Sequence, residues 1–345
     1  METEELLSRY ATGERNFSGV NLIGANLSGA NLSGANFSKA SLGSANLSRA
    51  SLRGTNLDGT FLYGADLSFA KMHEASLINS DLTKANLKGA VLVKSNLQGA
   101  KLSGAILSAV NLRLANLQGV NFCGANLSDI NLHSANLMQA KLNWANLSGA
   151  RMSGAKLTGA WLNSIKLKGA WLNGVDLQGV DLDGVDLSEA KLSGTNFTKA
   201  NLTATNLSEA QLRVATLAQV NLHAANLKGT VLIKANLNQA NLSKADLSEA
   251  NLNEANLSEA NLNGATLYET NLSKANLDHA YLWAAKLEVA DLREANLVGA
   301  SMRGANLDDA DLENALYSRE TLFPEGFDPT RAGAYLTASE LLNAA

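Results

Sequence analysis

From residue 15 to residue 314 the chain repeats every five residues without one insertion or deletion. Every position ending in 2 or 7, from Phe17 to Leu312, is Leu, Phe or Met: 53 Leu, four Phe (Phe17, Phe37, Phe122, Phe197) and three Met (Met72, Met152, Met302), 60 in all. A period of five suits neither regular element. On a helix each fifth residue advances by about 140°, which smears the apolar residues over every side, and on a strand an odd step reverses the face. The chain must therefore turn within each repeat. A chain that turns at constant intervals and always points the same residue inward winds into a solenoid, burying its apolar side chains between successive coils.

The other four positions agree. Two residues ahead of each central residue stands Ala in 42 of the 60 repeats, and the exceptions, such as Val20, Thr55, Ser80 and Ile130, are mostly small or β-branched, which marks a second inward position with little room. The residue just before the centre is usually Asn or Asp, and the one after it is often Ser. The fifth is Gly in 24 repeats, nearly all of the 28 Gly in the chain. That places a turn at the end of each repeat, where a positive φ suits glycine.

The repeat Ala-Asn-Leu-Ser-Gly, unaltered at Ala25-Asn26-Leu27-Ser28-Gly29 and Ala30-Asn31-Leu32-Ser33-Gly34, resembles the pentapeptide-repeat family over residues 15–314. The resemblance implies an all-β fold, a right-handed quadrilateral β-helix with four repeats per coil, which makes about 15 coils of the 60 repeats. The charged residues just before each centre lean the same way, because like charges should avoid the coil spacing. At a spacing of four repeats they give three opposite pairs (Asp81 with Lys101, Lys156 with Asp176, Lys166 with Asp186) and one like pair, Asp291 with Asp311. At a spacing of three repeats like pairs outnumber opposite ones.

A solenoid exposes backbone edges at both ends and needs caps. The expected organisation is a capping helix within residues 1–14, the solenoid over 15–314 and a C-terminal cap over 315–345. Leu6, Leu7 and Tyr10 fall at helical spacing between Thr3 and Thr12, with Gly13 as a stop. Both prolines, Pro324 and Pro329, lie in the segment from Thr321 to Pro329, which is expected to leave the ladder and lay Phe323 and Phe327 across the last coil. Thr337 with Glu340 makes a capping-box pattern for a final short helix ending near Leu342. This ending is similar to those of cyanobacterial pentapeptide-repeat proteins.

Composition restricts the function classes. The net charge is −4, but residues 1–200 hold 18 basic and 14 acidic residues whereas 201–345 hold 10 and 18, and neither part is basic enough to argue for a nucleic-acid groove. A single cysteine, Cys123, excludes an internal disulfide and fits a reducing compartment. No apolar run suits a signal peptide or a membrane span, so the expected location is cytoplasmic, with no membrane insertion. His73, His133, His223 and His279 are too scattered to share a metal, and no nucleophile elbow, Walker loop or dinucleotide fingerprint is present. The acidic group Asp176, Asp181, Asp183, Asp186 and Glu189 spreads over three faces and reads as a solvated surface, with a cation or partner site as the other reading. No catalytic residue, cofactor or metal is expected.

The outward aromatics are the exceptions to a monotonous surface. Trp161 and Trp171 replace the usual Asn, Trp144 the usual Gly and Trp283 the usual Ser, while Tyr268 and Tyr281 add a second group near the C-terminal end. In a coil of four repeats Trp161 stacks on Lys141 and Trp171 on Arg151, so two readings stand open: local cation–π columns or a partner-binding patch, since outward Trp and Tyr are enriched at interaction hot spots. The functional expectation is a non-catalytic scaffold presenting these residues to an unidentified protein partner, as a monomer or an end-to-end dimer, without direct nucleic-acid binding. The alternative implied by the family's best-understood members is a DNA-mimicking regulator of a topoisomerase or other nucleic-acid-binding protein. The near balance of charge over residues 1–200 and the absence of interrupting loops speak against it.

Overall fold

The computed structural model describes residues 1–337 and divides into two compact units, Met1–Val175 and Asp176–Ala345. Each unit is a four-sided parallel solenoid. In the N-terminal unit the four sides of one coil pair with the next as Asn16 with Asn36, Asn21 with Ser41, Asn26 with Asn46 and Asn31 with Ser51, always four repeats on. The C-terminal unit repeats the arrangement from the pair Asp176 with Asn196 onward. Three-sided coils are thereby excluded.

The hydrogen bonds show why five residues make one side. The N–H of Asn56, just before a centre, donates to Ala35 in the coil before, and the N–H groups of Leu57 and Gly59 donate to Ser76 and Ile78 in the coil after. The N–H of Thr60 then closes a turn onto the carbonyl of Leu57 at 3.1 Å. Positive φ falls on the third residue of each such turn, as a type II turn requires. All 60 repeats obey this, although 36 of those residues are not glycine.

Inside each unit the central Leu, Phe and Met and most of the preceding Ala are buried. Phe17 and Phe37 stack one coil apart with ring centroids 5.5 Å from each other. Polar residues at the small inward position satisfy themselves within the wall. Thr60 Oγ1 donates to the carbonyl of Phe37 at 2.8 Å, and Thr55, Thr205, Thr230 and Thr270 bond likewise 23 residues back.

At the N-terminal end α1, Thr3–Ala11, buries Leu6 completely. Tyr10 Oη donates to the carbonyl of Ser33 at 2.9 Å, and Arg15 stacks its guanidinium 3.9 Å from the Tyr10 ring centroid.

The C-terminal segment corrects one sequence expectation, because the ladder does not stop before Pro324. Leu322 pairs with Ser301, receiving the N–H of Met302 at 2.7 Å and donating to Ala300 at 2.9 Å. This step is one residue longer than those of the ladder before it. Thr321 keeps the inward role by donating to Leu297, 24 residues back. A further pass pairs β1, Leu316–Tyr317, in parallel with β2, Tyr335–Leu336. The two prolines fall between these passes, where no ladder N–H is needed. Phe323 stacks on Phe327 at 5.4 Å and meets Tyr317 edge-on at 5.5 Å. The helix expected from Thr337 to Leu342 lies outside the described residues, apart from Thr337 itself.

Candidate functional site

The background surface is an amide ladder. Asn at the outward position accepts, through Oδ1, the backbone N–H two residues on, an Asx turn that prepares the chain for its corner. Where Asn follows Asn at the coil spacing, Nδ2 donates to the Oδ1 below: Asn116 to Asn96 at 3.0 Å and Asn136 to Asn116 at 3.1 Å. Asp at the lower end of such a run needs only to accept, as Asp176, Asp181 and Asp186 do from Asn196, Asn201 and Asn206. Those three members of the acidic group are thus ladder acceptors. Among the described residues no group of His, Cys, Asp and Glu could hold a metal ion. No helix among them is long and apolar enough to cross a membrane.

Charge pairing between coils occurs mainly at the corners. Lys234 meets Glu254 at 3.3 Å and Lys274 meets Glu294 at 3.6 Å, both between turn residues one coil apart. Asp81 and Lys101 pair through the backbone as the sequence implies, but without an ion pair. The like pair Asp291 and Asp311 is bridged by Arg293, 2.7 Å from the first carboxylate and 3.5 Å from the second. That contact raises the Arg293 guanidinium and holds the Asp291 carboxyl below its usual range.

All six sequence-predicted aromatics are exposed, from 42% for Tyr268 to 67% for Trp144. They do not form one patch. Lys141 Nζ lies 5.3 Å from the Trp161 ring, and Trp144 closes the same repeat that carries Lys141, so these three share one side and its edge. Trp171 is two repeats, half a coil, beyond Trp161 and faces the opposite side, with Arg151 Cζ 5.9 Å from its ring. Asn111, Asp129, Asn131 and Gly149 complete a recess of about 300 Å³ beside Arg151 and Trp171. In the C-terminal unit Tyr281 and Trp283 occupy one repeat, whereas Tyr268 belongs to the adjoining side. The neighbouring Glu269 carboxylate, reinforced by Glu249 and Glu288, pushes the Tyr268 phenol above its ordinary value.

Sequence reasoning overlooks a further aromatic pair. Phe61 and Tyr63 stack nearly parallel, with centroids 6.1 Å apart, and Lys84 Nζ lies 5.8 Å from the Tyr63 ring. Both rings are exposed and stand on the side that carries Trp161, five coils earlier. The signal is the one that singles out the tryptophans: a large ring where the repeat calls for Asn or Ser.

Coils of four five-residue sides, stacked in parallel register, define a quadrilateral β-solenoid in each unit. The family model for pentapeptide repeats matches residues 16–54, 45–83, 70–108, 115–154, 150–188, 181–217, 215–253, 245–283 and 275–314, and the chain belongs to the pentapeptide-repeat family, whose fold is a right-handed quadrilateral β-helix. Members are generally non-enzymatic scaffolds. Among solved structures the chain is similar to HetL, a pentapeptide repeat protein involved in heterocyst differentiation regulation from the cyanobacterium Nostoc sp. strain PCC 7120, with 30% identity over 91% of this chain and 96% of that one and a TM-score of 0.17. Another pentapeptide repeat protein from Nostoc PCC 7120 is 45% identical over 31% of this chain and 84% of its own, with a TM-score of 0.18. Rfr23 from the cyanobacterium Cyanothece 51142 is 26% identical over 44% and 90%, with a TM-score of 0.17. No curated protein matches the chain.

Proposed function

We propose that the chain is a non-catalytic scaffold that binds a protein partner through the aromatic side of its N-terminal unit. One observation supports this most: Phe61, Tyr63 and Trp161 replace amide and hydroxyl residues on a single side, with Trp144 at its edge. Asn, Ser and Gly offer the same chemistry on every coil and cannot specify a location, whereas large rings at fixed heights can, and Trp and Tyr carry much of the energy at protein interfaces. Long cationic stems lie beside the rings, Lys141 at Trp161 and Lys84 at Tyr63.

The opposite placement of Trp161 and Trp171 supplies an internal control. Phe61→Asn, Tyr63→Ser, Trp144→Gly and Trp161→Asn together return the rings of one side and its edge to the repeat consensus, and Trp171→Asn does so on the other. Capture of a defined partner from the host organism should be lost with the first variant and kept with the second, at matching melting curves. Equal recovery by both variants and wild type would remove the aromatic side from the interaction.

A second reading, a DNA-mimicking regulator, draws on the C-terminal unit. Residues 176–345 hold 12 basic and 23 acidic residues, a net −11, and Glu209, Glu249, Glu269 and Asp309 share one corner. Supercoiling by gyrase, assayed with a stoichiometric excess of the chain, decides it: unimpaired supercoiling rejects mimicry.

A further inference from the structure

The two units carry opposite charge. Residues 1–175 hold 16 basic and 9 acidic residues, net +7, against −11 for residues 176–345, which together give the −4 of the whole chain. Neither excess is spread evenly. In the N-terminal unit Arg53, Lys71, Arg113 and Arg151 project from one side, and Arg49 and Lys94 from the two corners that bound it. All six are exposed, and their charged groups make no hydrogen bond or ion pair with a described residue. Only Glu74 and Asp129 oppose them on that side and its corners.

In the C-terminal unit the counterpart is a corner and the side leading into it. Glu209, Glu249, Glu269 and Asp309 stand along the corner, with Asp308 on the side, and all are exposed. Lys228 neutralises Glu249 at 2.9 Å, and Lys286 is the other cation on this surface. Glu249 and Glu269 occupy consecutive coils, about 4.8 Å apart along the ladder. Like charges so placed repel. An acidic surface on which Lys228 offsets only Glu249, and a basic surface of guanidinium and ammonium groups without ion-pair partners, on one chain, are each other's complement.

We propose that this chain associates with a second copy of itself, the basic side of the N-terminal unit of one copy docking on the acidic corner of the C-terminal unit of the other. The inference rests on charge and does not depend on the aromatic scaffold reading. Complementary fields of this kind steer association and fix register, and they weaken with ionic strength because exposed charges are screened beyond about 10 Å at 0.1 M salt.

The test uses the full chain in sedimentation velocity from 1 to 100 μM, concentrations on the order of those where contacts dominated by exposed charge are measurable. A dimer should form in 0.05 M NaCl, with an apparent dissociation constant at least about tenfold weaker in 0.5 M NaCl. Arg53→Glu with Arg113→Glu should abolish it, as should Glu269→Lys with Asp309→Lys. Mixing these two variants one to one should restore a dimer, because each then presents the complement that the other lost. Both double variants alter exposed side chains, and their thermal melts, read by circular dichroism, check that they fold. A monomer at every concentration in low salt, or double variants that dimerise like wild type, would overturn the proposal. So would an outcome in which a short single-stranded oligonucleotide binds the basic side of a chain that stays monomeric, since the occupant would then be a polyanion.

Discussion

Gly43 and Phe61 are fitted to each other across neighbouring coils. Gly43 is the single glycine of the array that stands one residue past a centre, away from the turn position, and its φ is not positive. A Cβ added there would lie 2.6 Å from Cε1 of Phe61. The glycine therefore makes room for an exposed ring. Gly43→Ala should destabilise by about 1 kcal/mol, because the ring must shift and lose contact with the surface and with Tyr63. In a Phe61→Asn background the same substitution should be close to neutral. The measurement is a double-mutant cycle by chemical denaturation, where a coupling energy of about 0.5–1 kcal/mol is expected for residues in contact. A cycle that closes at zero would mean that the ring is not held where it stands.

The left-handed residue at every turn sets a second prediction. Val214 and Val289 hold φ values of 50° and 59° although they are β-branched, and Val214 is well exposed. A left-handed conformation costs an ordinary L-residue about 1–2 kcal/mol, whereas Asn tolerates it. Val214→Asn should raise the melting temperature, with a gain of about 1 kcal/mol. The converse change, Gly119→Ala, meets no atom within 4 Å, so its cost comes from φ alone and should again be about 1 kcal/mol, downward. Thermal melts that move both variants the same way would contradict this account of the turn.

The period of five, the inward Leu and Ala and the four-sided coil are legible in the sequence because every repeat restates them, so chance cannot mimic the pattern. Other features depend on relations between coils and are not restated. Asn116 reads locally as an outward polar residue; its bond to Asn96 exists only once the coil length brings the two together. The pass through Leu322 is hidden because the phase slips by one residue after Tyr317, where counting in fives no longer finds an inward position. Trp161 and Trp171 look like one group when sorted by type, yet two repeats are half a coil and send them to opposite sides. Phe61 and Tyr63 carry the same signal as the tryptophans and are easily passed over, since rings at other positions of the array serve the core.

Arg293 offers a test of how the solenoid tolerates stacked like charges. Asp291 and Asp311 are paired through the backbone on consecutive coils, and the guanidinium between them holds the Asp291 carboxyl below its usual range. A carboxyl depressed in the folded state contributes stability above its unfolded pKa, near 4, and that contribution is lost as the pH falls through the lower folded value. Arg293→Gln removes the bridging charge and leaves two carboxylates facing each other, so Asp291 should titrate higher than in the wild type. The variant should accordingly melt at a lower temperature than wild type at pH 7, and the deficit should shrink as the pH is lowered through the carboxylate range, because protonation relieves the repulsion in the variant while it weakens the ion pair in the wild type. Adding Asp311→Asn should recover most of the loss at pH 7. A deficit that stays constant from pH 7 to pH 3, or a double variant no better than Arg293→Gln alone, would mean that Arg293 acts through the packing of its stem and not through the two carboxylates it touches.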